Sequence, residues 1–209
     1  LPKNKEILIF DLDGTILDTI EDIHNSLMKT LDYFNFNKFG IDTTKKYVGD
    51  GIKKLVERAV GKEHFKDEHE TTFRRIYKEN IVEHTKPFSG ISDVLEQLKD
   101  SYEMFILSNK SFEMTDYLVK HFGLDRYFTK WYGGDSFVEK KPSPLPIFEI
   151  LKFADAENGF VIGDNYTDVE SAVNSGLTSV FCRYGYGKLY DVNPDFYVDK
   201  PEDLLNILL

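Results

Sequence analysis

The sequence predicts an α/β fold in which a parallel sheet is interrupted near its start by an all-helical insertion. Short apolar runs that stop on polar residues recur along the 209 residues and alternate with stretches of helical spacing. That is the pattern of strands buried on both faces and joined by crossover helices. Between Leu17 and about Thr85 the strand pattern is absent and only the helical spacing continues.

The first run, Glu6-Ile7-Leu8-Ile9-Phe10, stops at Asp11. The insertion follows: Ile20, Ile23, Leu27, Leu31 and Phe34 recur at helical intervals, then Ile52, Leu55, Val56 and Ala59, then Phe73, Ile76 and Tyr77. The turn-like Lys86-Pro87-Phe88-Ser89-Gly90 returns the chain to the sheet. The expected division is therefore a core of residues 1–16 plus 86–209 and a helical domain of residues 17–85. In the second half, Val94, Leu95 and Leu98 form one core-facing seam. Met104-Phe105-Ile106-Leu107 is a strand stopping at Ser108. Tyr117, Leu118, His121 and Phe122 form a second seam, and Ile147, Phe148 and Leu151 a third. Pro144 and Pro146 suit the first turn of that last helix, where a missing N–H costs little. Phe160-Val161-Ile162 stops at Gly163-Asp164, and Ser179-Val180-Phe181-Cys182 stops at Arg183.

Composition bounds the function. Hydrophobic residues at 41% and aromatics at 14% supply a packed core. With 26 basic against 36 acidic residues the formal net charge is -10, which argues against a general nucleic-acid binder. An acidic protein binds an anion only where a metal, a lysine and helix N-termini reverse the local field, so a small recessed site is expected. Cys182, the single cysteine, sits in an apolar run and is expected to be buried and inert. No leader pattern and no apolar stretch of membrane-spanning length is present, so a soluble cytoplasmic protein without a membrane partner is expected. The five histidines, His24, His64, His69, His84 and His121, are scattered and form no metal or nucleophile constellation.

Open parallel sheets bind ligands at the carboxyl ends of their strands, so the polar residues ending the apolar runs should meet there. They are Asp11 and Asp13, then Ser108, Asn109 and Lys110, then Lys140 and Lys141, then Asp164 and Asp168. Clustered carboxylates repel unless a cation is shared, and hard oxygen ligands suit Mg²⁺. With Mg²⁺ and a lysine neutralising a phosphoryl group, one ionised carboxylate can attack phosphorus in line while a second exchanges protons with the leaving oxygen and with water. Duller readings exist for each piece. Asp-x-Asp-Gly fits an Asx turn after a strand. A calcium loop fits worse, since Thr15 stands where a ligand is expected and no closing glutamate follows. Ser108-Asn109 suits a helix N-cap, Asp164 and Asp168 suit capping of the helix through Val169 and Ala172, and Lys140 rivals Lys141.

Taken together, four segments resemble the motifs of the haloacid dehalogenase-like (HAD) hydrolases, within them the phosphoglycolate phosphatase-like members. They are Asp11-Leu12-Asp13-Gly14-Thr15, Leu107-Ser108-Asn109-Lys110, Lys141-Pro142-Ser143-Pro144 and Gly163-Asp164-Asn165-Tyr166-Thr167-Asp168, in family order along nearly the whole chain. The resemblance implies a Rossmann-like core with a helical cap between the first two motifs. It implies Asp11 as nucleophile and Asp13 as acid/base. Ser108, Lys141 and the backbone N–H groups of Leu12, Asp13 and Asn109 would hold phosphate. Mg²⁺ would lie on Asp11, the Asp13 carbonyl and Asp164, with Asp168 supporting its waters. Tyr47 to Ala59 resembles the subgroup's cap loop and helix, where Lys45, Lys53 or Arg58 could meet a substrate carboxylate; Arg183 to Gly187 and Asp195 to Val198 also resemble the subgroup, in structural or rim-forming segments. The expected activity is Mg²⁺-dependent hydrolysis of a small phosphorylated metabolite, with phosphoglycolate a candidate. A β-phosphoglucomutase-like mutase and a receiver-like phospho-acceptor module are the alternatives. The sequence sets no oligomeric state.

Overall fold

The computed structural model describes residues 6–209. β1 (Glu6–Phe10) lies inside a six-stranded sheet and is buried from Ile7 to Phe10, as its unbroken apolar run requires. The chain leaves it through a short strand, β2 (Leu17–Asp18), and enters four helices: α1 (Ile20–Tyr33), α2 (Ile41–Tyr47), α3 (Ile52–Val60) and α4 (Asp67–Asn80). It returns through β3 (Lys86–Pro87), which pairs antiparallel with β2. The second half alternates α5 (Ile91–Leu98), β4 (Glu103–Leu107), α6 (Phe112–His121), β5 (Lys130–Tyr132), α7 (Leu145–Ala154), β6 (Asn158–Gly163), α8 (Tyr166–Ser175) and β7 (Thr178–Cys182), then closes with β8 (Phe196–Val198) and α9 (Leu205–Leu208).

The strand order is β5-β4-β1-β6-β7-β8 with every neighbouring pair parallel. From β1 the sheet grows through β4 on one side and β6 on the other, so the strand order reverses at β1 and a crevice opens at its carboxyl end. The period-2 alternation splits β1 between two cores. Leu8 and Phe10 pack with Leu95 of α5 and Leu118 of α6, whereas Ile7 and Ile9 pack with Ile147 and Ile150 of α7 and Ala172 of α8. Two seams differ from the sequence expectation. In α6 the buried face is Met114, Thr115, Leu118 and Val119, while Tyr117 is exposed. In α7 it is Ile147, Ile150 and Ala154, while Phe148 is exposed. In both helices the aromatic lies one step off the buried stripe.

The four inserted helices enclose an apolar centre of their own, in which Ile23, Leu27, Leu31, Leu55, Val56, Phe73 and Tyr77 are buried. Each such side chain contributes roughly 1.5–3 kcal/mol by leaving water. The two passages between sheet and helices are tied together by Asp22. Its buried carboxylate accepts hydrogen bonds from the His84 N–H (2.9 Å), the Thr85 N–H (2.8 Å) and the Thr85 hydroxyl (2.7 Å). These donors also occupy the carboxylate that stands near Glu83 and His84, so that acidic group is a clamp between α1 and the segment entering β3. Asp22→Ala strands these donors and should lower the unfolding free energy by about 1–3 kcal/mol in a urea titration, with Asp22→Asn losing less. An unchanged midpoint in Asp22→Ala would contradict the clamp.

Candidate active site

Asp11 is the residue after β1. Its N–H donates to Ile162 O (2.8 Å), which extends the pairing with β6 by one residue and holds the carboxylate at the strand end. The chain then turns tightly, with the N–H groups of Ile16 and Leu17 donating to Leu12 O (3.1 and 2.9 Å). Gly14 has a φ of +84° in this turn, and a Cβ there would lie 2.2 Å from Asp164 Oδ2, so only glycine fits. Leu12 itself is fully buried and faces the core. The N–H groups of Leu12, Asp13 and Asn109 donate to no acceptor among the described residues, which leaves them free for a ligand.

Lys141 is 2% exposed and reaches across the sheet ends. Its Nζ donates to Asp11 Oδ1 (2.9 Å), Asp168 Oδ1 (2.6 Å) and the Leu107 carbonyl. The sequence left Lys140 as a rival, but Lys140 turns outward and donates to Asp50 O (2.6 Å) in the loop before α3. Asp168 is held from both sides, since its Oδ2 accepts the Asn165 N–H (3.0 Å) in a capping box at the start of α8. The capping residue is Asn165, not Asp164. Asp164 instead accepts the N–H groups of Tyr186 (2.9 Å) and Gly187 (2.8 Å), from the segment after β7. Ser108 is buried beside Asp11 in the cavity wall. Ser111, not Ser108, stands at the N-cap position of α6, and its side chain makes no capping hydrogen bond.

Asp13 is positioned by a relay. Thr19 Oγ1 donates to Asp13 Oδ1 (2.7 Å), so the Tyr186 hydroxyl, 2.7 Å from the same Oγ1, must donate to it. The other Asp13 oxygen lies 3.2 Å from Lys110 Nζ, which in turn donates to Tyr77 Oη in α4 (2.9 Å). Lys110, Tyr77, Tyr186 and Thr19 were not assigned roles from the sequence. Lys110 stood in a motif and Tyr186 in the rim segment, but the 33- and 167-residue separations of their contacts leave no local pattern.

Four carboxylates (Asp11, Asp13, Asp164, Asp168) face two ammoniums (Lys110, Lys141), an excess of two negative charges. Burial raises the Asp11 pKa to about 7; Lys141 opposes the shift, and the charges of Asp168 and Asp13 add to it. Asp164 is raised well above the carboxylate range by burial first and then by the charges of Asp11 and Asp168. Oxygens of Asp11, Asp164 and Asp168 all lie within 4.8 Å of one another. The uncompensated charge and the hard oxygen donors suit a divalent cation.

These residues open into a cavity of about 50 Å³ roofed by the inserted helices. The roof is apolar, with Ile23, Val48, Ile52, Leu55 and Phe73 lining it. Lys45, Lys53 and Arg58 do not line it. Lys45 and Lys53 lie at the surface beside Asp42 and Asp67, and Arg58 is held by Asp50 Oδ2 (2.5 Å) and Tyr47 O (2.9 Å). Each thus finds an acceptor on its own side of the helices.

A family model described as haloacid dehalogenase-like hydrolase matches residues 8–182. The chain belongs to this family. It is 35% identical to a phosphoglycolate phosphatase of Aquifex aeolicus over 97% of this chain and 96% of that one. It is 31% identical to a phosphoglycolate phosphatase of Neisseria gonorrhoeae over 97% of this chain and 90% of that one. Among solved structures, a haloacid dehalogenase-like family hydrolase from Streptococcus pneumoniae has the same fold, with a TM-score of 0.89, 24% identity and 99% coverage of both chains. The helical segment and the sheet of this haloacid dehalogenase-like hydrolase thus form one arrangement spanning the chain. Among the described residues no helix is long and apolar enough to cross a membrane.

The raised carboxylate pKa values carry a sign for stability. Unfolded Asp11 ionises near 3.8, whereas in the metal-free fold it keeps its proton to about 7. Its contribution is therefore complete below pH 3.8 and lost as pH rises through 7. Without metal, Asp164→Asn should flatten the fall in Tm between pH 5 and pH 8 relative to the unchanged protein, and added Mg²⁺ should raise the Tm of the latter more at pH 8 than at pH 5. Parallel Tm profiles with and without the substitution would contradict the crowding of charge at this site.

Proposed function

We propose that the protein is a cytoplasmic, Mg²⁺-dependent phosphomonoester hydrolase that works through an aspartyl-phosphate on Asp11. The observation that supports this most is the arrangement of two neighbouring carboxylates in unlike settings. Asp11 sits against Lys141 and the acidic cluster, and Asp13 against Thr19 and Lys110. Asp11 is the group that attacks phosphorus, because it faces the cation-seeking cluster at the strand ends. Asp13, with one oxygen held by the Thr19 hydroxyl and the other toward the roof, gives its proton to the leaving alkoxide. It then takes a proton from the water that hydrolyses the acyl phosphate.

Asp11, Asp164 and the Asp13 carbonyl would hold Mg²⁺, with Asp168 behind them. The ion supplies positive charge that favours ionised Asp11 and offsets the phosphoryl oxygens. Lys141, Ser108 and the free N–H groups of Leu12, Asp13 and Asn109 bind the phosphoryl group and orient it toward Asp11. Segment 17–85 acts as a cap over the core of residues 1–16 and 86–209. Three hydrogen bonds dock the cap loop on the core: Asn109 Nδ2 to Gly49 O (2.9 Å), Lys140 Nζ to Asp50 O (2.6 Å) and Tyr166 Oη to Asp50 Oδ1 (2.6 Å). Arg58 fixes Asp50 for that contact. This gives Arg58 a docking role in place of substrate binding. The apolar roof offers few partners for a ring of hydroxyls, which favours hydrolysis of a small ester over mutation of a sugar phosphate. Phosphoglycolate, named for the two relatives above, is a substrate candidate of suitable size.

Asp11→Asn should abolish Mg²⁺-dependent release of phosphate from an aryl phosphate while the circular dichroism spectrum stays unchanged; undiminished turnover would overturn the mechanism. Tyr166→Phe removes one docking bond worth about 0.5–1.5 kcal/mol and should raise KM about two- to tenfold with a smaller effect on kcat. Steady-state kinetics on the same substrate read both constants, and an unchanged KM would contradict docking by this loop.

A further inference from the structure

The cavity holds two buried lysines, and the chemistry above gives a phosphoryl role to only one. Lys141 belongs to the strand ends. Lys110 stands on the roof side, 6% exposed, with its Nζ 3.2 Å from Asp13 Oδ2, 2.9 Å from Tyr77 Oη and 4.6 Å from the centre of the Tyr77 ring. Burial opposes its charge, but the Asp13 carboxylate and the Tyr77 hydroxyl outweigh burial and hold Lys110 above the ordinary lysine range. An ammonium has three protons, and Asp13 and Tyr77 take two, leaving one for the cavity that Lys110 lines. Tyr77 Oη accepts from Lys110, so its own proton remains to be donated. No acceptor for it occurs among the described residues. A buried tyrosine hydroxyl ordinarily finds one.

Two unspent donors, one of them charged, therefore converge beside the acid/base carboxylate, facing the apolar side chains of Ile23, Ile52, Leu55 and Phe73. The geometry points to a leaving-group subsite in which Lys110 Nζ and Tyr77 Oη bind one carboxylate carried by the alcohol portion of the phosphomonoester. This rests on the phosphohydrolase reading, because it places the ester oxygen within hydrogen-bond reach of Asp13, ~2.7 Å. With Lys110 only 3.2 Å from the same carboxyl group, the substrate carboxylate must lie a carbon or two from the ester oxygen. A second negative charge meets no further cation in the lining among the described residues, where Ile23, Val48, Ile52, Leu55 and Phe73 stand on that side. The ligand class is a short phosphomonoester bearing a single carboxylate. The cation that meets it comes from the core motif after β4, not from the basic residues of the cap.

Phosphoglycolate and ethyl phosphate separate this subsite from a merely positioning role of Lys110, because they differ at the leaving group by a carboxylate in place of a methyl. Measured with Mg²⁺ as kcat/KM, Lys110→Met should lose about tenfold more on phosphoglycolate than on ethyl phosphate, and Tyr77→Phe about threefold more. Glycolate should also inhibit wild-type turnover of ethyl phosphate, about tenfold more weakly in Lys110→Met. If Lys110→Met does not fold or has no activity, the ratio in Tyr77→Phe decides. Equal losses on both esters would overturn the subsite, leaving Lys110 as a support for Asp13 and the phosphohydrolase reading intact. If the wild-type protein hydrolyses neither ester and no aryl phosphate, that underlying reading falls as well.

Discussion

Lys141 is enclosed by the Asp11 and Asp168 carboxylates and the Leu107 carbonyl, and this buried contact joins the ends of β1 and β4 to the first turn of α8. Neither sign of charge would be tolerated there alone. An isolated ammonium at 2% exposure, or three carboxylates within a few ångströms, would be strongly disfavoured away from water. One ammonium does not neutralise the set, and the residual negative charge is what a divalent cation and a phosphoryl group's partners can exploit. The strand order enforces this crowding, because it reverses at β1 and brings residues distant in sequence to one rim.

The same rim explains the placement of the helices. The Gly49-Asp50-Gly51 loop comes close enough to bond Asn109, Lys140 and Tyr166 because it lacks side-chain bulk: a Cβ on Gly49, at a φ of +118°, would lie 2.3 Å from Asn165 Nδ2. Docking of that loop brings Tyr77 over Lys110 and places an apolar roof above the charged floor. On the proposed reading the charged floor serves the phosphoryl group, and Lys110, a core residue facing the apolar roof, meets the alcohol portion. Asp22 links the two passages between these layers, so the roof's seating depends on a carboxylate outside the cavity.

Much of this was legible in the chain. The runs ending at Asp11, Ser108, Asp164 and Arg183 are apolar because their strands are covered on both faces, and four interior strands follow from them. The edge strands β5 (Lys130–Tyr132) and β8 (Phe196–Val198) escaped prediction as strands, being three residues long and partly exposed. The residues assigned to the rim do converge there, although Leu12 faces the core and can contribute only its backbone N–H. The relay of Tyr186 and Thr19, and the Lys110–Tyr77 pair, were not legible. Each joins segments that meet only after the helices fold over the sheet. Arg58 was misread for a related reason: a basic residue on a loop-proximal helix suggested an anion, but Asp50, eight residues earlier, already occupies it.

In the proposed mechanism Asp11 forms a covalent bond to phosphorus while Asp13 manages the protons. A rapid acid quench of Asp13→Asn during turnover, followed by peptide mass spectrometry, tests this directly, because slowed hydrolysis should let the acyl phosphate accumulate. The expected result is a phosphoryl adduct on Asp11 alone, dependent on Mg²⁺. Phosphate release with no adduct, or an adduct on Asp164 or Asp168 instead, would contradict it.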